Sequence, residues 1–377
     1  MKRKCIGILG GGQLARMSAY AAYRLGFDIA ILEKKKNSPA GQITHKEFVG
    51  WVDDSSILRS FSKQCDVITL ENEFIDYQQL ALLEKIKKKV VPNSRTIALI
   101  QDKFLQKESL SLKQLPVAEY VSISTPSEFE KISKLLKLPF VLKSRKLGYD
   151  GYGNAFIKNK KDFEREFRRL TSRHSKLLAE KFIDFRMELA VMVARTTNEI
   201  RVYPVVQTIQ KNHICHMVIA PAQISSRLIQ QAKEIAIDSV VAVGGFGIFG
   251  VEMFLTKDDK ILINEMAPRP HNSGHYSIEG CVTSQFENHI RSILDLPLGS
   301  TEMIKPYAVM INLFAKKMGD GIVENYSTPL NNENAHLHIY GKLKSRIGRK
   351  MGHVTLIGNE LNALIDSAKR IEKRIII

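Results

Sequence analysis

The stretch CIGILGGGQLARMSAYAAYRLGFDIAILE, residues 5–33, sets the fold class that we predict for this chain. An apolar run at Cys5–Leu9 is followed by three glycines, a helical pattern to about Leu25 and a second apolar run at Ile29–Leu32. This order is typical of a parallel strand–helix–strand unit. The Gly10–Gly12 turn would lie at a helix N-terminus, where backbone N–H groups favour an anion. A tight structural turn is the alternative, because the spacing does not match GxGxxG.

The rest of the chain alternates between apolar runs and helical patterns. Runs at Asp66–Leu70 and Val90–Val91 flank a helical pattern at Tyr77–Lys87, which completes a small α/β unit near residue 98. One helical pattern covers Ser94–Leu115. Beyond it we predict strands near Val117–Val121, Pro139–Ser144, Lys176–Phe182, Glu188–Ala194, Arg201–Val206, His213–Ile219, Ile248–Leu255, Lys260–Asn264, Tyr307–Phe314, His336–Tyr340 and His353–Leu356, and helices near Ser127–Leu136, Asp162–Leu170, Ser226–Val243 and the C-terminus.

Composition excludes several classes of protein. The chain has 377 residues, of which 44% are hydrophobic and 25% charged, so it is neither disordered nor of low complexity. No apolar run approaches the roughly 20 residues of a membrane span, and the N-terminus lacks a signal-peptide core, so we expect a cytoplasmic protein. The four widely separated cysteines predict buried free thiols and no disulfide framework.

The net charge of +17 could indicate a nucleic-acid binder. However, the excess is spread almost evenly, at +6 in residues 1–100, +6 in residues 101–300 and +5 in residues 301–377. A nucleic-acid surface would concentrate the charge in one place. We therefore expect no nucleic-acid partner, whereas an anionic small substrate would suit this charge.

Residues 140–154, FVLKSRKLGYDGYGN, form the first candidate site. A predicted strand delivers Lys143 and then runs into a loop with three glycines. Such a loop can fold over phosphates with its backbone N–H groups while the lysine supplies a point charge. It lacks the GxxxxGK[ST] order of a P-loop, and a purely structural glycine-rich hairpin is the alternative.

Residues 251–275, VEMFLTKDDKILINEMAPRPHNSGH, form the second candidate site. If the two predicted strands pair across Asp258–Asp259, then Glu252 and Asn264–Glu265 converge. Two carboxylates and an amide oxygen are ligands that suit magnesium, which bridges phosphate oxygens. An exposed Glu252 is the alternative, but the polar loop at Arg269–His275 directly after the strands favours a functional site.

Taken in order, these residues resemble the ATP-grasp superfamily, in which a lysine, a glycine-rich loop and acidic residues follow with this approximate spacing. Five further motifs resemble one family within it, the N5-carboxyaminoimidazole ribonucleotide synthetases of purine biosynthesis. The motifs are GGGQLARM (residues 10–17), NSPA (37–40), TLENEF (69–74), APRPHNSGH (267–275) and GRKMGH (348–353). The resemblance covers nearly the whole chain.

The resemblance implies an ATP-grasp fold of mixed α/β and α+β class. Residues 1–98 would form a Rossmann-like pre-ATP-grasp domain, residues 99–297 the ATP-grasp domain and residues 298–377 a small C-terminal domain. It also implies a ligase that joins bicarbonate to 5-aminoimidazole ribonucleotide at the expense of ATP, through carboxyphosphate. The implied cofactors are ATP and Mg²⁺, and the implied assembly is a homodimer with small-molecule substrates and no nucleic-acid or membrane partner.

The resemblance further implies a role for individual residues. ATP would contact Lys103, Lys143, Gly148, Tyr149, Asp150, Gly151, Tyr152, Gly153, Asn154, Glu180, Lys181, Phe182, Ile183, Glu188, Gln210, Asn264 and Glu265. Magnesium would be held by Glu252 and Glu265. The ribonucleotide would contact Ser38, Glu73, Tyr149, Arg269, Lys342 and Arg349, and the catalytic residues would be Arg269, Tyr149 and Lys350.

Three positions depart from the family pattern. Ala15 stands where glycine is usual, Tyr152 where arginine is usual, and Gln210 where histidine is common near ATP. The loss of an arginine from the glycine-rich loop removes a cation that could hold bicarbonate or phosphate. The alternatives are another ATP-grasp ligase, such as a formate-dependent transformylase or a biotin carboxylase, and a non-catalytic nucleotide or nucleic-acid binder.

Overall fold

The computed structural model describes residues 3–146, 153–172 and 176–377. Its N-terminal part is an α/β unit, with short strands and helices in alternation. The bounds are β1 (Cys5–Leu9), α1 (Gln13–Arg24), β2 (Asp28–Glu33), β3 (Lys46–Val49), α2 (Ser55–Lys63), β4 (Val67–Leu70), α3 (Tyr77–Lys85), β5 (Lys89–Val90) and α4 (Ser94–Gln101).

The five strands of this unit form one parallel sheet in the order β3-β2-β1-β4-β5. All five residues of β1 are buried, as expected for a central strand covered by helices on both faces. The predicted parallel strand–helix–strand unit is confirmed. The four cysteines are free and buried, as predicted.

A second sheet follows, with four antiparallel strands in the order β6-β9-β7-β8. Two helices cover it, and Phe129, Phe140, Phe163 and Phe167 share its core. The bounds are α5 (Lys103–Ser111), β6 (Tyr120–Ile123), α6 (Phe129–Leu136), β7 (Phe140–Ser144), β8 (Asn154–Ile157), α7 (Lys160–Thr171) and β9 (Leu177–Lys181).

The third sheet has nine strands, and it continues from the central part of the chain into the C-terminal part. Its central elements are β10 (Phe185–Arg195), β11 (Ile200–Val202), β12 (Val206–Lys211), β13 (Ile214–Ala220), α8 (Ser226–Ala242), β14 (Gly247–Thr256), β15 (Ile261–Ala267), α9 (Ser277–Gly280) and α10 (Gln285–Ile293). The C-terminal elements are β16 (Tyr307–Phe314), β17 (Gly319–Asp320), α11 (Ser327–Leu330), β18 (Ala335–Ile339), β19 (Lys344–Ser345), β20 (Lys350–Gly358) and α12 (Leu361–Arg374).

The strand order of this sheet is β15-β14-β10-β12-β13-β16-β20-β18, with β11 beside β10. Residues 298–377, predicted as a separate small domain, therefore add three strands to the sheet of the central part. The junction is the antiparallel pair β13–β16, in which Met217 lies opposite Ile311. Among the described residues, no helix is long and apolar enough to cross a membrane.

Several elements differ from the predictions. The single helix expected at Ser94–Leu115 is two helices, because Asp102 is extended and its carboxylate caps the second one. The single strand expected at Arg201–Val206 is divided between β11 and β12. Helix α10 was not predicted, since its sequence is largely polar, yet eight of its nine residues are buried. β3, α2 and β8 were also not predicted.

The Gly10–Gly12 turn lies at the N-terminus of α1, as predicted, but its N–H groups bind carboxylates of the chain itself. Gly12 N donates to Glu71 Oε2 (2.6 Å), Leu14 N donates to Glu71 Oε1 (3.2 Å), and Gly11 N donates to Glu33 Oε2 (2.8 Å). Burial raises the pKa of Glu71, and the backbone N–H groups oppose that rise. The anion that the turn favours is therefore supplied from within the protein.

The close approach of this turn to Glu71 makes a specific prediction about Gly12. A Cβ at residue 12 would overlap the Glu71 carboxylate, so Gly12→Ala should lower the free energy of unfolding by about 1–3 kcal/mol. Urea unfolding measures this. Gly358→Ala is the matched control, because its Cβ would be 3.3 Å from its nearest neighbour, in Leu364. Equal stabilities for both variants would contradict the role of Glu71 in shaping the turn.

Candidate active site

The candidate active site is a cleft where the second and third sheets meet the N-terminal unit. α5 enters it from one side, the middle of β14 and the C-terminal end of β15 form its floor, and the loops at residues 71–75 and 267–275 close its far end. Titratable side chains line it: Glu73, Lys103, Arg145, Glu252, Glu265, Arg269 and His271.

The strand pairing brings two acidic residues side by side. Glu252 on β14 lies opposite Glu265 on β15, next to a bulge at Glu252–Met253, so the predicted convergence is confirmed. Burial and the charge of Glu265 raise the pKa of Glu252 to about 8. Burial would also raise the pKa of Glu265, but the Lys103 ammonium lowers it to about 2. The pair thus carries negative charge that a cation would stabilise.

Three lysines surround these carboxylates. Lys103, at the start of α5, forms an ion pair with Glu265. Lys143 Nζ on β7 lies 2.8 Å from Glu180 Oε2 and donates to Asn264 Oδ1 (3.3 Å). Lys107 Nζ, one turn after Lys103, lies 3.4 Å from Glu180 Oε1. Both Lys143 and Glu180 are buried, so the strands hold a preformed cluster of alternating charges.

A second ion pair lies at the far end of the cleft. Arg269 NH2 donates to Glu73 Oε1 (3.0 Å), and Nε donates to the other carboxylate oxygen. Burial would raise the pKa of Glu73, but Arg269 lowers it, so this carboxylate is ionised at neutral pH. His271 Nε2 lies 3.5 Å from Glu252 Oε1, and burial lowers the pKa of His271 to about 3, which makes it neutral.

Farther along the same sheet, Glu188 on β10 is hydrogen-bonded to Gln210 and Thr208 on β12. Burial raises the pKa of Glu188, and these hydrogen bonds oppose that rise. β9 ends at Lys181, so Phe182 and Ile183 follow it outside regular strand structure. Lys181 forms an ion pair with Glu119, and Phe182 packs edge-on against Phe156 with ring centroids 5.1 Å apart.

The N-terminal unit meets the C-terminal part at its glycine turn. Gln42 Nε2 donates to the backbone oxygen of Gly341 (2.7 Å), and the Lys342 ammonium lowers the pKa of Glu71 against the effect of burial. Ser38 is buried, and its Oγ donates to Glu47 Oε1 (3.1 Å). The basic segment at residues 341–353 therefore contacts the N-terminal unit at its start.

The basic residues of this segment point in different directions. Lys342 Nζ donates to the backbone oxygen of Lys350 (2.7 Å). The Lys350 ammonium opposes the rise that burial causes in the pKa of Glu252, and it adds to the fall that burial causes in the pKa of His271. Arg349 NH1 donates to the backbone oxygen of Lys344 (2.6 Å), and burial and Arg346 lower the Arg349 pKa. The charge of Lys350 thus acts on the central cluster, whereas Arg349 contacts its own segment.

Part of the predicted phosphate loop lies outside the described residues, namely Gly148, Tyr149, Asp150, Gly151 and Tyr152. Gly153 and Asn154 are described and follow that loop directly. The backbone oxygen of Gly153 accepts from Ser144 N (2.7 Å), and Asn154 lies opposite Lys143 in the β7–β8 ladder. The described residues Ser144, Gly153 and Asn154 therefore lie beside Lys143.

Sequence reasoning missed several residues that complete the cleft. Lys107 had a usable signal, because it follows Lys103 by four residues on a helix and so shares its face. Asp102 and Arg145 were adjacent to identified lysines, but nothing in their spacing indicates that they pair. The role of Glu71 at the glycine turn depends on two distant segments, so no local pattern could identify it.

Comparison with protein families divides the chain into three matching regions. Residues 1–101 match the ribonucleotide synthetase preATP-grasp domain, residues 108–286 match the ATP-grasp domain, and residues 308–367 match the phosphoribosylaminoimidazole carboxylase C-terminal domain.

Individual proteins resemble the chain over nearly its whole length. The N5-carboxyaminoimidazole ribonucleotide synthase of Bacillus subtilis is 38% identical over 353 residues, which cover 93% of this chain and 91% of that protein. The phosphoribosylaminoimidazole carboxylase of Schizosaccharomyces pombe is 40% identical, and the match covers 99% of this chain and 67% of that protein. This chain spans about two thirds of the length of the fungal carboxylases that it matches.

Solved structures agree with these matches. The N5-carboxyaminoimidazole ribonucleotide synthetase of Thermotoga maritima has a TM-score of 0.88 at 42% identity, and the match covers 99% of each chain. The N5-carboxyaminoimidazole synthase of Aspergillus clavatus, in complex with ADP and 5-aminoimidazole ribonucleotide, has a TM-score of 0.89 at 37% identity, and the match covers 98% of each chain.

Proposed function

This chain belongs to the N5-carboxyaminoimidazole ribonucleotide synthetase family of ATP-grasp enzymes, and on that premise we propose how its residues act. The activity is an ATP-dependent carbon–nitrogen ligation in purine biosynthesis, in which 5-aminoimidazole ribonucleotide and bicarbonate give N5-carboxyaminoimidazole ribonucleotide, ADP and phosphate. The observation that carries this function is the convergence of Lys103, Lys143, Glu252 and Glu265 beside the Glu73–Arg269 pair.

ATP binds along the third sheet in this proposal. Lys103 and Lys143 contact the phosphates, with Gly148–Asn154 over them, and the backbone of Glu180–Ile183 contacts adenine. Glu188 accepts hydrogen bonds from the ribose hydroxyls, and Gln210 orients it, because the two side chains are hydrogen-bonded. The departure from histidine at residue 210 thus retains a hydrogen-bonding partner for Glu188.

The paired acidic residues of β14 and β15 fit a magnesium ion. Glu252 and Glu265 supply two carboxylates, and Asn264 lies beside them; such hard oxygen ligands suit Mg²⁺, which takes its remaining ligands from water and phosphate. Burial and, after it, the charge of Glu265 raise the pKa of Glu252, and a cation would offset the contribution of Glu265. Among the described residues, no group of three His, Cys, Asp or Glu side chains could hold a metal alone. Bound magnesium would neutralise phosphate charge.

The chemical step needs positioning more than covalent help from the protein. A bicarbonate oxygen forms a bond to the γ-phosphorus while the bond from phosphorus to the β–γ bridging oxygen breaks, giving carboxyphosphate and ADP. Lys103 and Lys143 offset the charge that spreads over the transferred group. Carboxyphosphate then releases carbon dioxide and phosphate beside the exocyclic amine of the ribonucleotide. The amine nitrogen attacks the carbon of carbon dioxide, one C=O electron pair moves to oxygen, and the proton that the nitrogen loses goes to the released phosphate.

The ribonucleotide lies between the three parts of the chain in this proposal. Ionised Glu73 accepts a hydrogen bond from the exocyclic amine, facing Tyr149, while Arg269 donates from the same ion pair toward the substrate phosphate. Ser38, Lys342 and Arg349 complete the phosphate site, and Arg269, Tyr149 and Lys350 are the proposed catalytic residues. Arg349 is partly buried and lies near Arg346, so a bound phosphate would stabilise its charge.

The domain boundaries at residues 98 and 297, the homodimer and the cytoplasmic location stay predictions made from the sequence. The effect of Tyr152 on turnover also stays open to measurement, since this residue lies outside the described part of the chain.

Phosphate release from ATP tests the function. We expect release to require both 5-aminoimidazole ribonucleotide and bicarbonate, and N5-carboxyaminoimidazole ribonucleotide to accumulate in equal amount. If a different carboxylate and acceptor supported phosphate release without the ribonucleotide, the protein would be a different ATP-grasp ligase. DNA retention that falls steeply with salt, without any turnover, would indicate an electrostatic binder.

The acidic pair provides the next prediction. Glu252→Gln and Glu265→Gln keep the size of the side chain but remove the charge that offsets a cation, so turnover should fall by ~10²-fold or more. Steady-state kinetics at several magnesium concentrations measure this. Glu234→Gln, on the exposed face of α8, is the matched control and should retain full turnover. Near-normal turnover in both site variants would overturn the assignment of the pair.

The basic segment at residues 341–353 provides another prediction. Lys342→Ala and Arg349→Ala each remove one donor to a phosphate, which costs about 1.5–3 kcal/mol and should raise the KM for the ribonucleotide ~10- to 100-fold. The KM for ATP should barely change. Lys344→Ala removes an exposed lysine of the same segment that pairs with Asp320, so it serves as the control. An unchanged ribonucleotide KM, or an equal rise in both constants, would make this segment a surface loop.

A further inference from the structure

The two lysines assigned to the ATP phosphates lie on different elements, and one ion pair joins those elements. Asp102 directly precedes Lys103, and Arg145 follows Lys143 by two residues. Arg145 Nε donates to Asp102 Oδ1 (2.8 Å), and Arg145 NH2 donates to Asp102 Oδ2 (2.7 Å). The pair is bidentate, and its side chains are only 12% and 9% exposed, so its geometry is defined and poorly screened by solvent.

The backbone reinforces the same junction. Lys103 N donates to the backbone oxygen of Arg145 (2.8 Å), so the first residue of α5 is tied directly to the end of β7. Asp102 Oδ1 also accepts from the N–H groups of Phe104 (3.0 Å) and Leu105 (3.4 Å). One carboxylate therefore caps α5 and binds the guanidinium at once.

The aromatic ring of Phe104 closes the junction from a third side. Its centroid lies 4.7 Å from the guanidinium carbon of Arg145, within the range of a cation–π contact. Arg145 NH1 also reaches Ser122 Oγ on β6 (3.4 Å). The Arg145 guanidinium thus contacts both α5 and the second sheet, and these contacts restrict its rotation.

We propose that Asp102 and Arg145 are positioning residues that set the separation of Lys103 from Lys143. The inference rests on the proposed function, because it concerns how ATP phosphates meet two ammonium groups from different elements. Lys103 also binds Glu265 and Lys143 binds Asn264, so a shift of α5 against β7 would displace both lysines from the third sheet. A misplacement of about 1 Å at a reacting group can cost on the order of 100-fold in rate.

Asp102→Asn is the sharpest test of this role. Asparagine caps helices as well as aspartate does, so α5 keeps its start, but the charge and the symmetric two-oxygen acceptor are lost. We expect kcat/KM for ATP to fall about 10-fold or more, with the KM for the ribonucleotide unchanged. In Arg145→Met, kcat/KM for ATP should fall further. Arg145→Lys keeps the charge but loses the planar guanidinium, so its kcat/KM for ATP should lie between those of Arg145→Met and the wild type.

The double variant Asp102→Asn/Arg145→Met tests whether the two residues act as one unit. If they do, its kcat/KM for ATP should be no lower than that of Arg145→Met alone. Asp259→Asn is the matched control, because Asp259 forms an exposed ion pair with Arg186 in the β14–β15 turn. This control should behave as the wild type does.

Affinity for a non-hydrolysable ATP analogue and the melting temperature are measured on the same samples. Weaker analogue binding at an unchanged melting temperature supports positioning. Unchanged ATP kinetics in the folded Asp102→Asn variant, or equal losses for ATP and the ribonucleotide that follow the melting temperature, would overturn it. If the wild type shows no ribonucleotide-dependent turnover, the proposed function fails, yet analogue binding still decides the role of the pair.

Discussion

The enforced proximity of Glu252 and Glu265 is the constraint on which the site depends. Antiparallel pairing of two strands fixes these carboxylates side by side, and the protein must then offset their repulsion in a partly buried cleft. Lys103 does so for one of them. Lys143 and Lys107 are in turn balanced by Glu180, so the charges alternate outward from the acidic pair. In the proposed function, the negative phosphates would lie beside the lysines and the divalent cation beside the carboxylates, so each ligand would meet groups of the opposite charge.

At the glycine turn, in contrast, the protein itself supplies the charge that the site favours. Its N–H groups could have bound an external anion, but Glu71 and Glu33 occupy them. The Lys342 ammonium opposes the rise that burial causes in the pKa of Glu71. The turn therefore interacts electrostatically with the C-terminal segment. A substrate at this junction would meet residues whose orientation the fold has already set, which lowers the entropic cost of binding it.

Sequence patterns predicted what depends on local periodicity and on motifs. The central strand Cys5–Leu9, the β14–β15 hairpin and the convergence of its acidic residues all follow from such patterns. Helix α10 has a short apolar stripe at Phe286, Ile290 and Ile293, which we did not identify because the six residues around it are polar. Tertiary contacts bury most of those polar side chains as well. The Asp102–Arg145 and Glu73–Arg269 pairs join residues 43 and 196 positions apart, and no local spacing encodes a contact of that kind.

The continuity of the nine-stranded sheet bears on how such a protein can be divided. The family regions suggest three exchangeable modules, but β13 and β16 share a hydrogen-bonded ladder across the second boundary. A fragment that ended near residue 300 would leave β13 as a bare edge, and a separately produced C-terminal fragment would expose β16, and bare edges of this kind promote aggregation. Recombination between relatives near residue 300 would therefore pair a β13 and a β16 that come from different proteins.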